Sequence, residues 1–167
     1  MPKIILSIDQ GTTGTTAALF DDKGNMLAKE NREFKQIFPE PGWVEHDLED
    51  IWASVNESIE AALSSCSASG KDIGAIGITN QRETTAVWER ASGQAVHNAI
   101  VWQCRRTAPI CKRLKEAGHE ELFTERTGLV LDPYFSGTKL RWLLENVEGI
   151  EEKAAAGDLA FGTIDSY

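Results

Sequence analysis

The sequence predicts an α/β domain built on a mixed sheet. Three observations carry that reading. Three short apolar segments follow one another across glycine-containing turns, an amphipathic helical stretch comes next, and a further apolar segment follows that helix at once. Strands joined by tight turns are antiparallel neighbours, whereas a strand reached through a helical crossover returns parallel.

Each element has its own signal. Residues 3–9 and 15–21 form a hairpin around Asp9-Gln10-Gly11-Thr12-Thr13-Gly14. Asp22-Lys23-Gly24-Asn25 is a second turn, and Met26 to Phe34 return as a third strand. Gln36 to His46 contains Pro39, Pro41 and Gly42 and reads as a loop. Its Phe38, Trp43 and Val44 either pin it to the body or line a pocket. Asp47 caps a helix, with Asp50 at N3 imitating a capping box. Ile51, Trp52, Val55, Ile59, Ala62 and Leu63 fall on its inward face.

Ile73 to Thr79 reads as a buried parallel strand. Thr84 to Glu89 and Ala99 to Trp102 are further strands, with a turn at Ser92-Gly93. Arg105 to Ala117 is a helix that tolerates Pro109 in its first turn and stops at Gly118. Helices follow over Glu120 to Thr127, over Gly137 to Asn146 behind a Ser136 cap, and over Ile150 to Ala156. Leu140, Leu143 and Leu144 point inward, and Leu159 to Ile164 forms a last strand.

Bulk properties narrow the function classes. The chain has 167 residues, enough for one domain with a real core. Its net charge of −9 argues against a generic nucleic-acid binder. The basic cluster Arg105, Arg106, Lys112, Arg113 and Lys115 reads as a solvated helix face. No apolar run is long enough to span a bilayer, and Met1-Pro2-Lys3 followed by a strand does not look like a signal peptide. Three cysteines without a CxxC motif point to a reduced, cytoplasmic setting. Cys104 and Cys111 read as small core residues rather than metal ligands.

Four stretches carry candidate chemistry. The turn from Asp9 to Thr16 reads either as an ordinary Gly/Thr hairpin turn or as a phosphate cradle, with Asp9 placed to hold a hydrated Mg2+. It lacks the Gly-Lys-Ser/Thr of a Walker A loop and the spacing of a dinucleotide fingerprint. Arg82-Glu83, at a strand end, is either an exposed ion pair or a grip on vicinal hydroxyls. Trp102 is either core or the wall of a small-molecule site, and Tyr134 either a packed aromatic or a hydroxyl offered to a ligand. His46, His97 and His119 are scattered and support no hydrolytic triad.

Five collinear motifs give these stretches a common meaning. They are Asp9-Gln10-Gly11-Thr12-Thr13, Pro41-Gly42-Trp43-Val44-Glu45-His46-Asp47, Gly77-Ile78-Thr79-Asn80-Gln81-Arg82-Glu83-Thr84-Thr85, Trp102-Gln103-Cys104-Arg105-Arg106-Thr107 and Asp132-Pro133-Tyr134-Phe135-Ser136-Gly137-Thr138-Lys139. Together they resemble the glycerol kinases of the FGGY carbohydrate kinase family. The resemblance implies a ribonuclease-H-like (actin-like ATPase) lobe: an antiparallel three-strand meander followed by parallel strands, with helices on both faces. It implies phosphoryl transfer from MgATP to glycerol; the apolar surface left where the missing lobe belongs predicts self-association into a homo-oligomer, and charge and hydropathy predict neither nucleic-acid nor membrane partners.

It also implies roles for particular residues. Asp9 looks like the Mg2+-associated carboxylate, and Thr12, Thr13 and Gly14 look like ATP-phosphate contacts. Thr16 stands where an arginine reaching the ADP phosphate is expected. Arg82, Glu83 and Tyr134 look like the glycerol contacts, with Trp102 as the apolar wall. Family members are several times longer, so the resemblance places the general base and the second lobe beyond residue 167. The chain therefore reads as the N-terminal part of the first lobe, inactive by itself. A lone lobe that binds polyol weakly or self-associates is the alternative.

Overall fold

The computed structural model describes residues 4–167, so the predicted start of the first strand at residue 3 lies outside the described residues. In chain order the strands are β1 (Ile4–Gln10), β2 (Gly14–Phe20), β3 (Met26–Glu33), β4 (Glu45–His46), β5 (Ile73–Asn80), β6 (Ala86–Glu89), β7 (Ala99–Ile100) and β8 (Leu159–Gly162). The helices are α1 (Leu48–Ser65), α2 (Ala108–Glu116), α3 (Glu120–Thr127), α4 (Ser136–Asn146) and α5 (Ile150–Ala156). The chain groups into two compact units. The first holds the residues up to Gln36 together with Asp47–Gln81, the second Ile37–His46 together with Arg82–Tyr167.

The first unit is a four-stranded mixed sheet in the order β3-β2-β1-β5. The meander β1–β2–β3 is antiparallel throughout, and β5 returns parallel to β1 after α1. Alternate residues of the strands turn inward, so Leu6, Ile8, Ala17, Leu19 and Ala28 pack with Ala62 of α1, flanked by Val55, Ile59 and Leu63. Asp47 caps α1 by accepting from the Glu49 amide at 2.9 Å.

Two expectations for this unit change. Trp52 is 59% exposed, while Ser54 and Ser58 are buried against the sheet. Both serines return their hydroxyls to helix carbonyls, so small polar side chains are satisfied on the packed face and a bulky indole is not needed there. β5 runs parallel to β1 as predicted but is not buried: Ile76 and Ile78 are 58% and 71% exposed. It is the edge strand of the sheet, and an apolar run reports only that a strand is suited to burial, not what covers it. α1 is the one α-helix among the described residues of this unit, and the other four belong to the second unit.

The second unit carries two short antiparallel pairs, β4–β7 and β6–β8. The strands after β5 thus do not extend the parallel part of the mixed sheet, which consists of β5 alone. No helix lies between Glu89 and Ala99, and without a crossover the chain cannot return parallel. Val87, Ile100, Cys104 and Leu143 form the core, with Trp43, Val44 and Trp142 against it. The loop before α1 is therefore pinned by Trp43, edge-on to Trp142 at 5.1 Å, whereas Phe38 is exposed.

Arg106 corrects the reading of the basic cluster as a solvated face. Its side chain is fully buried and its Nη2 donates to Glu45 Oε1 at 2.7 Å. Its guanidinium lies 4.1 Å from the Trp43 ring centre and 4.6 Å from that of Trp142. Asn98 Nδ2 donates to the second Glu45 oxygen at 2.9 Å, so the buried carboxylate is held by two donors. Pro109 sits in the first turn of α2, and Gly118, at φ 80°, follows that helix.

Candidate functional site

In the first unit the candidate site is the turn between β1 and β2. Gly11 N–H donates to Gly14 O at 2.9 Å and closes it. Gln10 Nε2 donates to Gly11 O at 2.7 Å and Gln36 Nε2 to Thr12 O at 3.1 Å. The Phe34 amide donates to Thr13 O, and Gln81 braces the turn from β5 through its main chain and its side chain to Gln10. The turn's carbonyls are thus tied down by residues of the same unit. A Cβ on Gly14 would stand 2.7 Å from Arg32 O, so only glycine fits this close approach of β2 to β3.

The predicted residues of this turn fall in distinct places. Asp9, near the carboxyl end of β1, is exposed, and no hydrogen bond or ion pair engages its carboxylate among the described residues. Thr13 is exposed, and Thr12 and Gly14 are half-buried. Thr15, assigned no role from sequence, is buried and bonds Ser54 at 2.7 Å, fastening β2 to α1. Thr16 pairs with Asp9 across the hairpin, and its hydroxyl accepts from Asn31 Nδ2 at 3.0 Å. An exposed carboxylate beside a glycine turn suits a hydrated divalent cation and phosphate oxygens.

In the second unit three distant stretches meet. Glu83 adopts a left-handed backbone, φ 63°, which a non-glycine residue takes only when its surroundings hold it. Thr84 follows, buried, and its hydroxyl accepts from the Trp102 amide at 3.3 Å, joining the Arg82-Glu83 segment to Trp102. Trp102 meets Tyr134 edge-to-face at 5.9 Å, and Tyr134 meets Phe135 at 5.1 Å. Asp132 Oδ1 accepts from the Tyr134 amide at 2.9 Å and from Arg105 Nη1 at 3.2 Å, which fixes the turn into α4. Arg82 is exposed; Glu83, Trp102 and Tyr134 are half-buried. The Arg82-Glu83 segment carries a guanidinium and a carboxylate, groups whose chemistry suits hydroxyls, and its main chain and Thr84 tie it to the stretches bearing Trp102 and Tyr134.

Sequence reasoning missed two residues of this unit. Lys139 is fully buried, and its Nζ donates to Glu83 O and Tyr134 O, each at 2.7 Å. Burial pushes its ammonium down to about 8, against the opposing pull of nearby Glu83 and Asp132. Its spacing of four from Leu143 puts it on the inward face of α4, and that was the available signal. His46, also fully buried, has its pKa lowered by burial to about 4 and is therefore neutral in the fold at pH 7.

Comparison with known proteins places this geometry. The profile of the FGGY family of carbohydrate kinases, N-terminal domain, matches residues 4–167. Glycerol kinase 2 of Thermotoga maritima is 58% identical over 165 residues, 99% of this chain and 33% of its own length. A glycerol kinase of Agrobacterium fabrum is 58% identical over 163 residues, with 98% and 33% covered. The structure is similar to that of Plasmodium falciparum glycerol kinase solved with ADP, with a TM-score of 0.89, 33% identity, and 98% of this chain and 33% of that one covered. The fold also matches gluconate kinase from Lactobacillus acidophilus, with a TM-score of 0.83 at 24% identity, 98% of this chain and 32% of that one covered. The chain spans about a third of the length of the curated relatives it matches. It belongs to the FGGY family of carbohydrate kinases.

Proposed function

We propose that these residues form the phosphate-turn and polyol-binding part of an ATP-dependent glycerol kinase, within the first lobe of that enzyme. The observation that carries the reading is the meeting of the Arg82-Glu83 segment, Trp102 and Tyr134 through mutual hydrogen and ring contacts. Identity of 54–58% to relatives named glycerol kinase favours glycerol over other polyols.

Glu83 accepts from glycerol hydroxyls, Arg82 donates to their oxygens, and Tyr134 adds a phenol hydroxyl. Trp102 covers the C–H edge of the carbon chain. The Thr12-Thr13-Gly14 turn supplies hydroxyl and amide donors to ATP phosphate oxygens. Asp9 would hold Mg2+, which its exposed and unengaged carboxylate fits, and the ion would offset charge on the phosphates. Thr16, occupied with Asn31, contributes less to the nucleotide. Rate acceleration then rests on positioning and charge, and the product is sn-glycerol 3-phosphate.

No helix among the described residues is long and apolar enough to cross a membrane. We place the protein in the cytoplasm and expect it to self-associate through the exposed apolar side chains of β5, a property that light scattering across a concentration series reads directly.

A coupled assay on the full-length protein tests the activity. ADP release depends on glycerol, and Glu83→Gln lowers kcat/KM for glycerol by roughly a hundredfold, the loss of a charged hydrogen bond to the substrate, with KM for ATP nearly unchanged. ADP release indifferent to glycerol would refute the assignment.

A further inference from the structure

We propose that Lys139 is a positioning residue for the polyol site: by donating to the backbone carbonyls of Glu83 and Tyr134, it sets the spacing of the two segments that bring substrate contacts together. The proposal rests on the polyol reading of that site given above.

A packing role alone does not account for this side chain. Position 139 lies on the inward face of α4 with Leu143, where methionine or leucine would fill the volume without desolvating a cation. Lysine instead places one ammonium between two carbonyls, one on the Glu83 segment and one on the Tyr134 turn. Those two carbonyls belong to residues singled out, on independent grounds, as substrate contacts. Glu83 is also one of only two non-glycine residues with positive φ among the described residues, so its conformation needs an outside hold. Lys139 supplies that hold at its carbonyl, while Asp132 holds the Tyr134 turn at its amide. The side chain touches neither hydroxyl-binding group directly; it acts through the main chain that carries them.

The first test is amide hydrogen exchange on the full-length protein without ligand. Lys139→Met keeps the volume and removes the donors, so protection over 82–85 and 132–136 falls by about tenfold or more while β1 to β3 stay within about twofold; Lys139→Arg, which keeps cationic donors, retains most of it. Unchanged protection in either segment of Lys139→Met overturns the proposal. The second test is kinetic. In Lys139→Met, KM for glycerol rises by about tenfold and kcat changes less, while KM for ATP stays within about twofold.

Should Lys139→Met fail to fold, the wild-type protein decides. The Lys139 Nζ resonance shifts on titration with glycerol, saturating with the kinetic KM, whereas a lysine that only packs does not respond; no shift overturns the proposal. The two layers of the reading fail differently. Wild-type protein without glycerol-dependent turnover overturns the polyol assignment and this role with it, whereas glycerol turnover with unchanged glycerol KM in Lys139→Met overturns the Lys139 role alone.

Discussion

The β1–β2 turn of the first unit draws its candidate residues from one short stretch, and glycines, carbonyls and neighbouring strands of the same sheet give it its shape. The Arg82-Glu83, Trp102 and Tyr134 cluster of the second unit draws on three stretches far apart in the chain, held by a threonine hydroxyl, an aspartate, a buried lysine and ring contacts. A turn built locally is specified by backbone conformation and tolerates few side-chain choices at its closest approach. A site built from distant stretches depends on buried polar groups that fix one stretch to another. The two regions therefore fail for different reasons: the first through steric insult, the second through an unpaired polar group.

The largest effect is expected where the second unit buries charge. Arg106→Met leaves Glu45 buried without its cation, and urea denaturation should show a loss of about 3–5 kcal/mol. A loss under about 1 kcal/mol would mean that the tryptophan pair, not the ion pair, organises this loop.

Acid should come next, again through the second unit. Folded His46 has a pKa of about 4, against 6.5 for the unfolded chain. Between those values the unfolded chain takes up a proton that the folded chain refuses, so stability falls as pH drops from 6.5 to 4 and is level above that window. The contribution is roughly 3 kcal/mol across the window, read as the difference between wild type and His46→Phe in melts at several pH values.

Steric insult to the first unit ranks third. Gly14→Ala drives a methyl against Arg32 O and should cost about 1–3 kcal/mol, with KM for ATP raised and KM for glycerol little changed. A variant that raised both constants equally would erase the contrast between the regions. Ser54→Ala should be mildest: it removes the partner of the Thr15 hydroxyl, a loss of about 1 kcal/mol by thermal denaturation, with kinetic constants unaltered.

Much of this molecule was legible in the sequence, unevenly. The meander, the parallel return of β5 and the extents of α3 and α5 followed from turn glycines and periodicity, properties of residues close in the chain, whereas α2 starts at Ala108 and not at Arg105, and Ser136 lies inside α4 and does not cap it. Trp52 was misplaced because helical spacing identifies a face and not how closely the sheet approaches it. Glu45, His46 and Arg106 lay inside motifs that were noticed, yet nothing local marks them as buried; for Lys139 the one local signal is its spacing of four from Leu143, which marks a helix face and not the partners that make burial of a cation tolerable.

By itself, the sequence determined the order of the main elements and the glycine turn after β1, and it supplied the residues proposed for phosphate and polyol, because backbone conformation and side-chain chemistry are written residue by residue. Only the tertiary structure decided that Arg106 pairs with Glu45, that Lys139 joins Glu83 to Tyr134, and that the apolar face of β5 stands open. The physical reason is the same in each case. The cost of burying a polar group, or of exposing an apolar one, is set by partners that chain connectivity places far away, and a local pattern carries no record of them.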